Sequence, residues 1–435
     1  MTKRLVFAAT LLVAVRAAAA PSPNVVLIIS DDHGWTDYGF MGHPRIRTPH
    51  LDRLASESLV ITRGYVPSSL CRPSLASIMT GLYPHLHRIT GNDPQGNARD
   101  AANRAAMVEV FRKSPTLLGR LGEKGYLSHQ SGKWWEGECR CAGFTECMTH
   151  GDVARGGRHG DEGLKIGRET MRPIFDFLDS AGNRPFFLWY APFLPHQPHN
   201  PPERLLGRYR EAGHPLEIAK YYAMVEWLDE TVGQLLGYLD AKGLARNTLV
   251  VYLADNGWVQ TVEDRGLTPR RAKMSPYDAG VRTPILVRWP GRISPRREER
   301  VLASSIDIAP TVLAACGFEA DPSMPGIDLA DRRALARRDA IHGSIFVHTT
   351  VNLNQPASGL KYRWTIQDRW KLIVPYSPNA QLPIWGERVG AGWSREVELY
   401  DVLADPREET NLAPRQPDRV RSLRERLDRW WKVSE

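Results

Sequence analysis

What most constrains this chain is a set of unbroken apolar runs: PNVVLIIS at 23–30, NTLVVYLA at 247–254 and ILVRW at 285–289. A strand with one wet face alternates apolar and polar side chains, so a run without alternation belongs to a strand buried on both faces. That is the situation of a parallel sheet covered by helices. Helical patterns separate the runs: TPHLDRLASES, SPTLLGRLGEKG with its glycine stop, GLKIGRETMRPIFDFLDSAG and EIAKYYAMVEWLDETVGQLLGYLDAKG. Alternation of the two kinds predicts an α/β sandwich with a large, mostly parallel central sheet flanked by helices.

Near residue 340 the texture changes. AIHGSIFVHT, KYRWTIQDRWKLIV and EVELYDV are short runs of strand formers joined by turn residues, which predict a small antiparallel sheet. PDRVRSLRERLDRWWKV then places Val420, Leu423, Leu427 and Trp430 on one helical face, as a packing helix does. The 435 residues suffice for one large domain and a smaller one, read as a catalytic α/β domain over 21–338 and a C-terminal α+β subdomain over 339–435.

Residues 1–20 carry Lys3 and Arg4, an apolar run from Leu5 to Val15 and a small-residue stretch ending at Ala20, the pattern of a cleavable export signal. The run is shorter than a bilayer span and Arg16 interrupts it, and no later segment is apolar enough to cross a membrane. An exported protein, periplasmic or secreted, is therefore expected. A formal charge of +8 suits an anionic substrate and equally a solvated surface, and no basic block interleaved with aromatics suggests nucleic acid. In the cluster CRCAGFTEC, Cys139, Cys141 and Cys147 leave open a disulfide, free thiols or metal ligands, zinc being the weakest because a closed site wants four ligands.

Two of the buried runs end in acids, the first at Asp31 and Asp32, the second at Asp255 and Asn256. Ligand sites in such sheets lie beyond the carboxyl ends of strands. Three carboxylates and an amide oxygen gathered there would repel one another without a cation, and an all-oxygen set selects calcium or magnesium over zinc. Either pair alone is an ordinary turn sequence. Together, each closing a buried strand, they point to a metal.

VPSSLCRPSLASIMTGLYPH follows, with Cys71, Pro73, Ser74, Ser77, Thr80 and Gly81. Together with SDDHGWTDYGFMGHPRIRTPHLDRLA, GKW at 132–134, LPHQP at 194–198, ADNG at 254–257, KMSPYDAGVRTP at 273–284 and ELYDVLADPREETNLA, this block resembles the arylsulfatase A-like branch of the sulfatase family, in the alkaline phosphatase superfamily. The likeness spans nearly all of the mature chain. It implies an alkaline-phosphatase-like sandwich and a Cys71 oxidised to formylglycine by a dedicated maturation enzyme. It further implies calcium held by Asp31, Asp32, Asp255, Asn256 and the modified Cys71, with Lys133 and Lys273 clamping sulfate oxygens and His196 on the departing oxygen. The expected activity is hydrolysis of a sulfate ester, and Trp35, Trp134, Trp135 and Trp258 beside the motifs favour a sulfated carbohydrate.

The chain departs from the family pattern twice. Leu75 stands where C-x-P-x-R has arginine, and Trp135 stands where a histidine usually follows GKW. His159, His87 and Arg72 are the candidate replacements, while His199 reads as a loop residue. Two alternatives stay open: a phosphodiesterase or phosphonate monoester hydrolase of the same superfamily, which shares a related fold, and, because of these departures, a non-catalytic binder of sulfated glycans.

Overall fold

Why the apolar runs become central strands is visible in the side chains they bury. In a computed structural model describing residues 22–96, 100–262, 271–379 and 394–434, Val25, Leu27 and Ile29 pack into one core layer and Val26 and Ile28 into the opposite one. Leu249, Val251 and Leu253 join the first layer, Val250 and Tyr252 the second. A strand covered on both faces cannot afford polar alternation. The expected export signal at 1–20 lies outside the described residues.

The large sheet is built from β1 (Asn24–Ser30), β2 (Leu59–Tyr65), β3 (Leu127–Gly132), β4 (Glu146–Cys147), β5 (Phe186–Ala191), β6 (Thr248–Ala254), β7 (Arg282–Arg288), β8 (Arg296–Glu298) and β9 (Ala303–Ser304). Its order is β4-β3-β5-β1-β6-β7-β2-β8, with β9 also pairing β2. Pairing is parallel except at β7, which runs antiparallel to both β6 and β2. The run ILVRW is therefore an antiparallel strand and not a third parallel one. Its apolar character reports burial, and burial does not fix direction.

Helices cover both faces, among them Pro49–Ser56, Cys71–Thr80, Leu117–Glu123, Arg172–Ala181 and Leu216–Ala241. The pattern GLKIGRETMRPIFDFLDSAG yields an α-helix only in its second half, its first three residues ending a short 3-10 turn over Asp161–Lys165. β10 (Ala340–Phe346), β11 (Leu360–Gln367), β12 (Trp370–Pro375) and β13 (Glu398–Asp401) form the separate antiparallel sheet in sequential order. The helix Pro417–Trp430 packs on it through Leu423 and Leu427, with Val420 and Trp430 partly buried alongside.

Among the described residues no helix is long and apolar enough to cross a membrane. Cys139 and Cys147 are joined in a disulfide, and Cys141 is exposed and free.

Two buried imidazoles give the fold a pH dependence. His87 meets the Ser77 hydroxyl at 3.0 Å, and His129 stacks on Phe177. Burial pushes His87 down to about 3 and His129 down to about 4. In the unfolded chain such groups titrate near ~6.5, so between these values the unfolded state binds more protons. The stability tied to the neutral rings is complete above pH ~6.5 and is lost as pH falls toward the folded values. The melting temperature is expected to drop between pH 7 and pH 4, with His129→Gln flattening part of the slope. A melting temperature constant across that window would contradict this.

Candidate active site

The parallel pairing of β1 with β6 sets the site. Ser30 is in register with Ala254, so the residues that follow, Asp31–Asp32 and Asp255–Asn256, emerge side by side. The Asp32 backbone N–H donates to the Asp255 carboxylate at 3.1 Å, and the Asn256 amide donates to Asp32 at 2.7 Å. Asp32 holds a left-handed backbone with φ 54°, which an Asp side chain tolerates better than most.

Lys133 follows the end of β3. The turn needs Gly132, whose φ is 89° and whose missing Cβ would lie 1.9 Å from the Ala191 carbonyl oxygen. The Lys133 ammonium then sits 2.5 Å from Asp31 and 3.5 Å from Asp255. Beyond β5, the Asp31 N–H donates to the Leu194 carbonyl at 2.9 Å, fixing the loop that carries His196, whose Nε2 is 3.3 Å from Asp32.

Cys71 is the first residue of the helix Cys71–Thr80, all ten residues of which are buried. Lys273 arrives on a loop tied to the residues before that helix, with the Met274 N–H donating to both the Ser69 carbonyl at 2.9 Å and the Ser69 hydroxyl at 2.8 Å. Its ammonium lies 2.5 Å from Asp32 and 3.0 Å from the Cys71 sulfur. All eight residues singled out from the sequence thus meet at one point. Asp32, Cys71, Lys133, His196 and Lys273 line a cavity of about 320 Å³, with Asp31, Asp255 and Asn256 directly against them.

The charges there are strongly perturbed. Burial raises the Asp255 carboxyl to about 7, reinforced by neighbouring Asp31, and burial likewise raises Asp31. At Asp32 burial works the same way but is overcome by Lys273, His196 and Lys133, which hold its carboxyl below the usual range. Burial pushes the Cys71 thiol up to about 11 and the His196 imidazole down to about 3. With only protein charges around it, Cys71 is a neutral thiol at physiological pH and a poor nucleophile.

The oxygens suit a hard cation. Asp31 Oδ2 and Asn256 Oδ1 are buried without a hydrogen-bond partner among the described residues, and Asp31, Asp32 and Cys71 offer ligand atoms all within 4.8 Å of one another. Orphaned, water-excluded acceptors on converging side chains cost free energy unless a cation satisfies them.

The two departures from the family pattern are packed, not vacant. Leu75 is buried in the same apolar core as Ile78 and Met79. Trp135 is buried, lines the cavity, lies 5.3 Å from the His159 ring and carries the Arg158 guanidinium 5.0 Å above its own ring. Of the candidate replacements, His159 lines the cavity. His87 sits behind the helix on Ser77, and His199 packs near Tyr221 and Trp258. Arg72 is spent elsewhere, its guanidinium bonded to both Glu136 carboxylate oxygens at 2.8 and 2.6 Å, tying the Cys71 helix to the loop after Lys133. Among the four tryptophans, Trp134 packs in the core and Trp35 lies under Arg282, while Trp135 and Trp258 reach the cavity.

Asn92, Asp93, Arg158 and His348 line the same cavity. Sequence reasoning missed them because they come from loops distant in sequence that carry no spacing signature.

A profile of the Sulfatase family matches residues 23–318, and one described as N-sulphoglucosamine sulphohydrolase, C-terminal, matches residues 271–432. The chain is 26% identical to N-acetylgalactosamine-6-O-sulfatase of Bacteroides thetaiotaomicron, over 93% of this chain and 92% of that protein. It is 29% identical to human N-acetylgalactosamine-6-sulfatase over 72% of this chain, spanning 66% of the human protein's length. Its fold matches, with TM-score 0.72 and 20% identity over 94% of this chain and 98% of the other, a structure solved in complex with its substrate D-glucosamine-2-N,6-O-disulfate.

Proposed function

Since the chain belongs to the sulfatase family and is thereby a sulfuric ester hydrolase, we propose that it removes sulfate from a carbohydrate, using a formylglycine made from Cys71 and a calcium ion. The observation that carries the reading is the convergence on Cys71 of two strand-tip acid pairs and two lysines, with Lys273 3.0 Å from the sulfur. The names of the relatives support a sugar substrate.

Asp31, Asp32, Asp255 and Asn256, with the residue at 71, would hold the calcium, which when bound neutralises charge on the sulfuryl oxygens and acidifies a nearby hydroxyl. Once oxidised to an aldehyde and hydrated, the side chain at 71 supplies one hydroxyl for attack on sulfur and a second through which sulfate is released, an exit a plain cysteine or serine adduct lacks. Lys133 and Lys273 both line the cavity beside Cys71 and are placed to pair with sulfuryl oxygens as charge redistributes. His196, its Nδ1–H donating to the Gln197 carbonyl at 2.6 Å and its Nε2 3.3 Å from Asp32, is placed to hydrogen-bond the departing oxygen. Burial of these side chains lowers the local dielectric and strengthens each of these contacts.

We also propose export, supported by the Cys139–Cys147 disulfide, since such bonds persist in oxidising compartments. A cysteine-oxidising maturation enzyme is then a required partner.

The test is turnover of a 6-sulfated hexosamine and 4-nitrophenyl sulfate beside an aryl phosphodiester, together with melting in calcium and in chelator. Expected are preferred hydrolysis of the sulfates and a higher melting temperature in calcium, since saturation at 100-fold the Kd stabilises by about 2.7 kcal/mol. Asp255→Asn should remove most of that shift. Preference for the phosphodiester, or melting indifferent to calcium, would refute the reading.

A further inference from the structure

We propose that Asp93, Arg158 and His348 form a recognition subsite for a vicinal diol on the sugar ring that carries the sulfate; this rests on the carbohydrate reading above. The three line the cavity that contains Cys71, Lys133 and Lys273, so a ligand whose sulfate sits between the lysines presents its ring to them. At about 320 Å³ the cavity lies at the small end of the roughly 300–1,000 Å³ typical of ligand pockets. That suits one ring with its sulfate.

Asp93 is only 6% exposed. It accepts from Arg158 Nε at 2.8 Å and Arg158 Nη2 at 2.5 Å, and His348 Nδ1 stands 3.6 Å from the same carboxylate. A carboxylate and a guanidinium joined by two hydrogen bonds offer acceptors beside donors. Two neighbouring hydroxyls meet such an edge in full, each donating to the carboxylate and accepting from the guanidinium, which spends two of its five N–H donors on Asp93. A second anionic group would instead face the Asp93 charge. The subsite therefore selects neutral hydroxyls.

The group is held ready by its surroundings. The Asn92 N–H donates to the His348 carbonyl and the Thr350 N–H to the Asp93 carbonyl, each at 2.9 Å, splicing the loop after the Cys71 helix to the segment after β10. That close approach needs Gly91, where a Cβ would fall 2.6 Å from the Thr350 nitrogen. On the other side Arg104 donates to the Arg158 carbonyl at 2.7 Å, and the Arg158 guanidinium lies over Trp135. Trp135 itself is buried in the cavity wall, which holds the guanidinium stacked on it in place. A site fixed before binding spends little of its interaction energy on ordering itself.

A structural latch would have the same ion pair, so the test must separate the two. The full-length protein carrying Asp93→Asn or His348→Gln is assayed on the 6-sulfated hexosamine and on 4-nitrophenyl sulfate, which has no diol. Expected is a loss of roughly 10- to 100-fold in kcat/KM on the sugar, with a clearly smaller loss on the aryl ester. Equal loss on both substrates, or no loss on either, overturns the proposal. If the wild type cleaves no sulfate ester, the functional reading fails by itself, and calorimetric titration of the same sugar still judges the subsite. Weaker binding to Asp93→Asn than to wild type supports it; equal binding, or none to wild type, overturns it.

Discussion

Replacing Cys71 with alanine is expected to lower kcat on any sulfate ester by on the order of 10⁴- to 10⁶-fold, the range for deleting a nucleophile that works as part of a unit. The side chain is small and buried at the start of a helix, and alanine fills most of its volume, so the variant should fold and melt close to wild type. Serine is the sharper variant. It keeps an oxygen next to Lys273 yet forms an ester with no route to expel sulfate, so at most one turnover per molecule is expected. In active wild-type protein the peptide carrying residue 71 should weigh less by the difference between a CH₂SH and a CHO side chain. An active alanine variant, or intact sulfur in fully active protein, would end the formylglycine mechanism.

The second large effect is expected at Lys371, far from the cavity in sequence. Its fully buried ammonium lies 2.8 Å from Asp278 and 2.9 Å from Glu408, and the other Glu408 oxygen accepts from the Asp278 backbone N–H at 2.6 Å. Asp278 also accepts from the Tyr65 hydroxyl. Lys371→Met leaves two buried carboxylates facing each other. Breaking such a pair from one side costs about 3–5 kcal/mol, which denaturant titration would register as a lower midpoint. Asp278 lies five residues beyond Lys273, opening the short helix Asp278–Val281 that closes the Lys273 loop, so activity should fall with stability. Neutralising the partners as well, with Asp278→Asn and Glu408→Gln, should return part of the loss. A Lys371→Met protein as stable as wild type would show that the network is not what anchors the small sheet to that loop.

How much of this was readable beforehand follows from which signals are local. The strand tips were, because a run buried on both faces announces its own end, and parallel neighbours put successive tips on one edge. The meeting of the motif residues was, through resemblance alone; nothing in the composition of GKW or LPHQP singles out Lys133 or His196. Strand direction at Arg282–Arg288 was not, since an apolar run looks the same read either way. Arg72 was mistaken for a spare cation because its partner Glu136 sits 64 residues on. Asp93, Arg158 and His348 were invisible for the same reason, being assembled by tertiary folding from three loops.

The burial of the whole helix Cys71–Thr80 also dictates an order of events. On the formylglycine reading proposed above, another protein has to grip the segment around residue 71, and in the folded chain that segment is buried. On that reading oxidation belongs to the nascent or still-unfolded chain. The expectation that follows is that material made without an oxidising partner reaches the native fold yet stays silent, and that adding the partner afterwards does not wake it unless the protein is first unfolded.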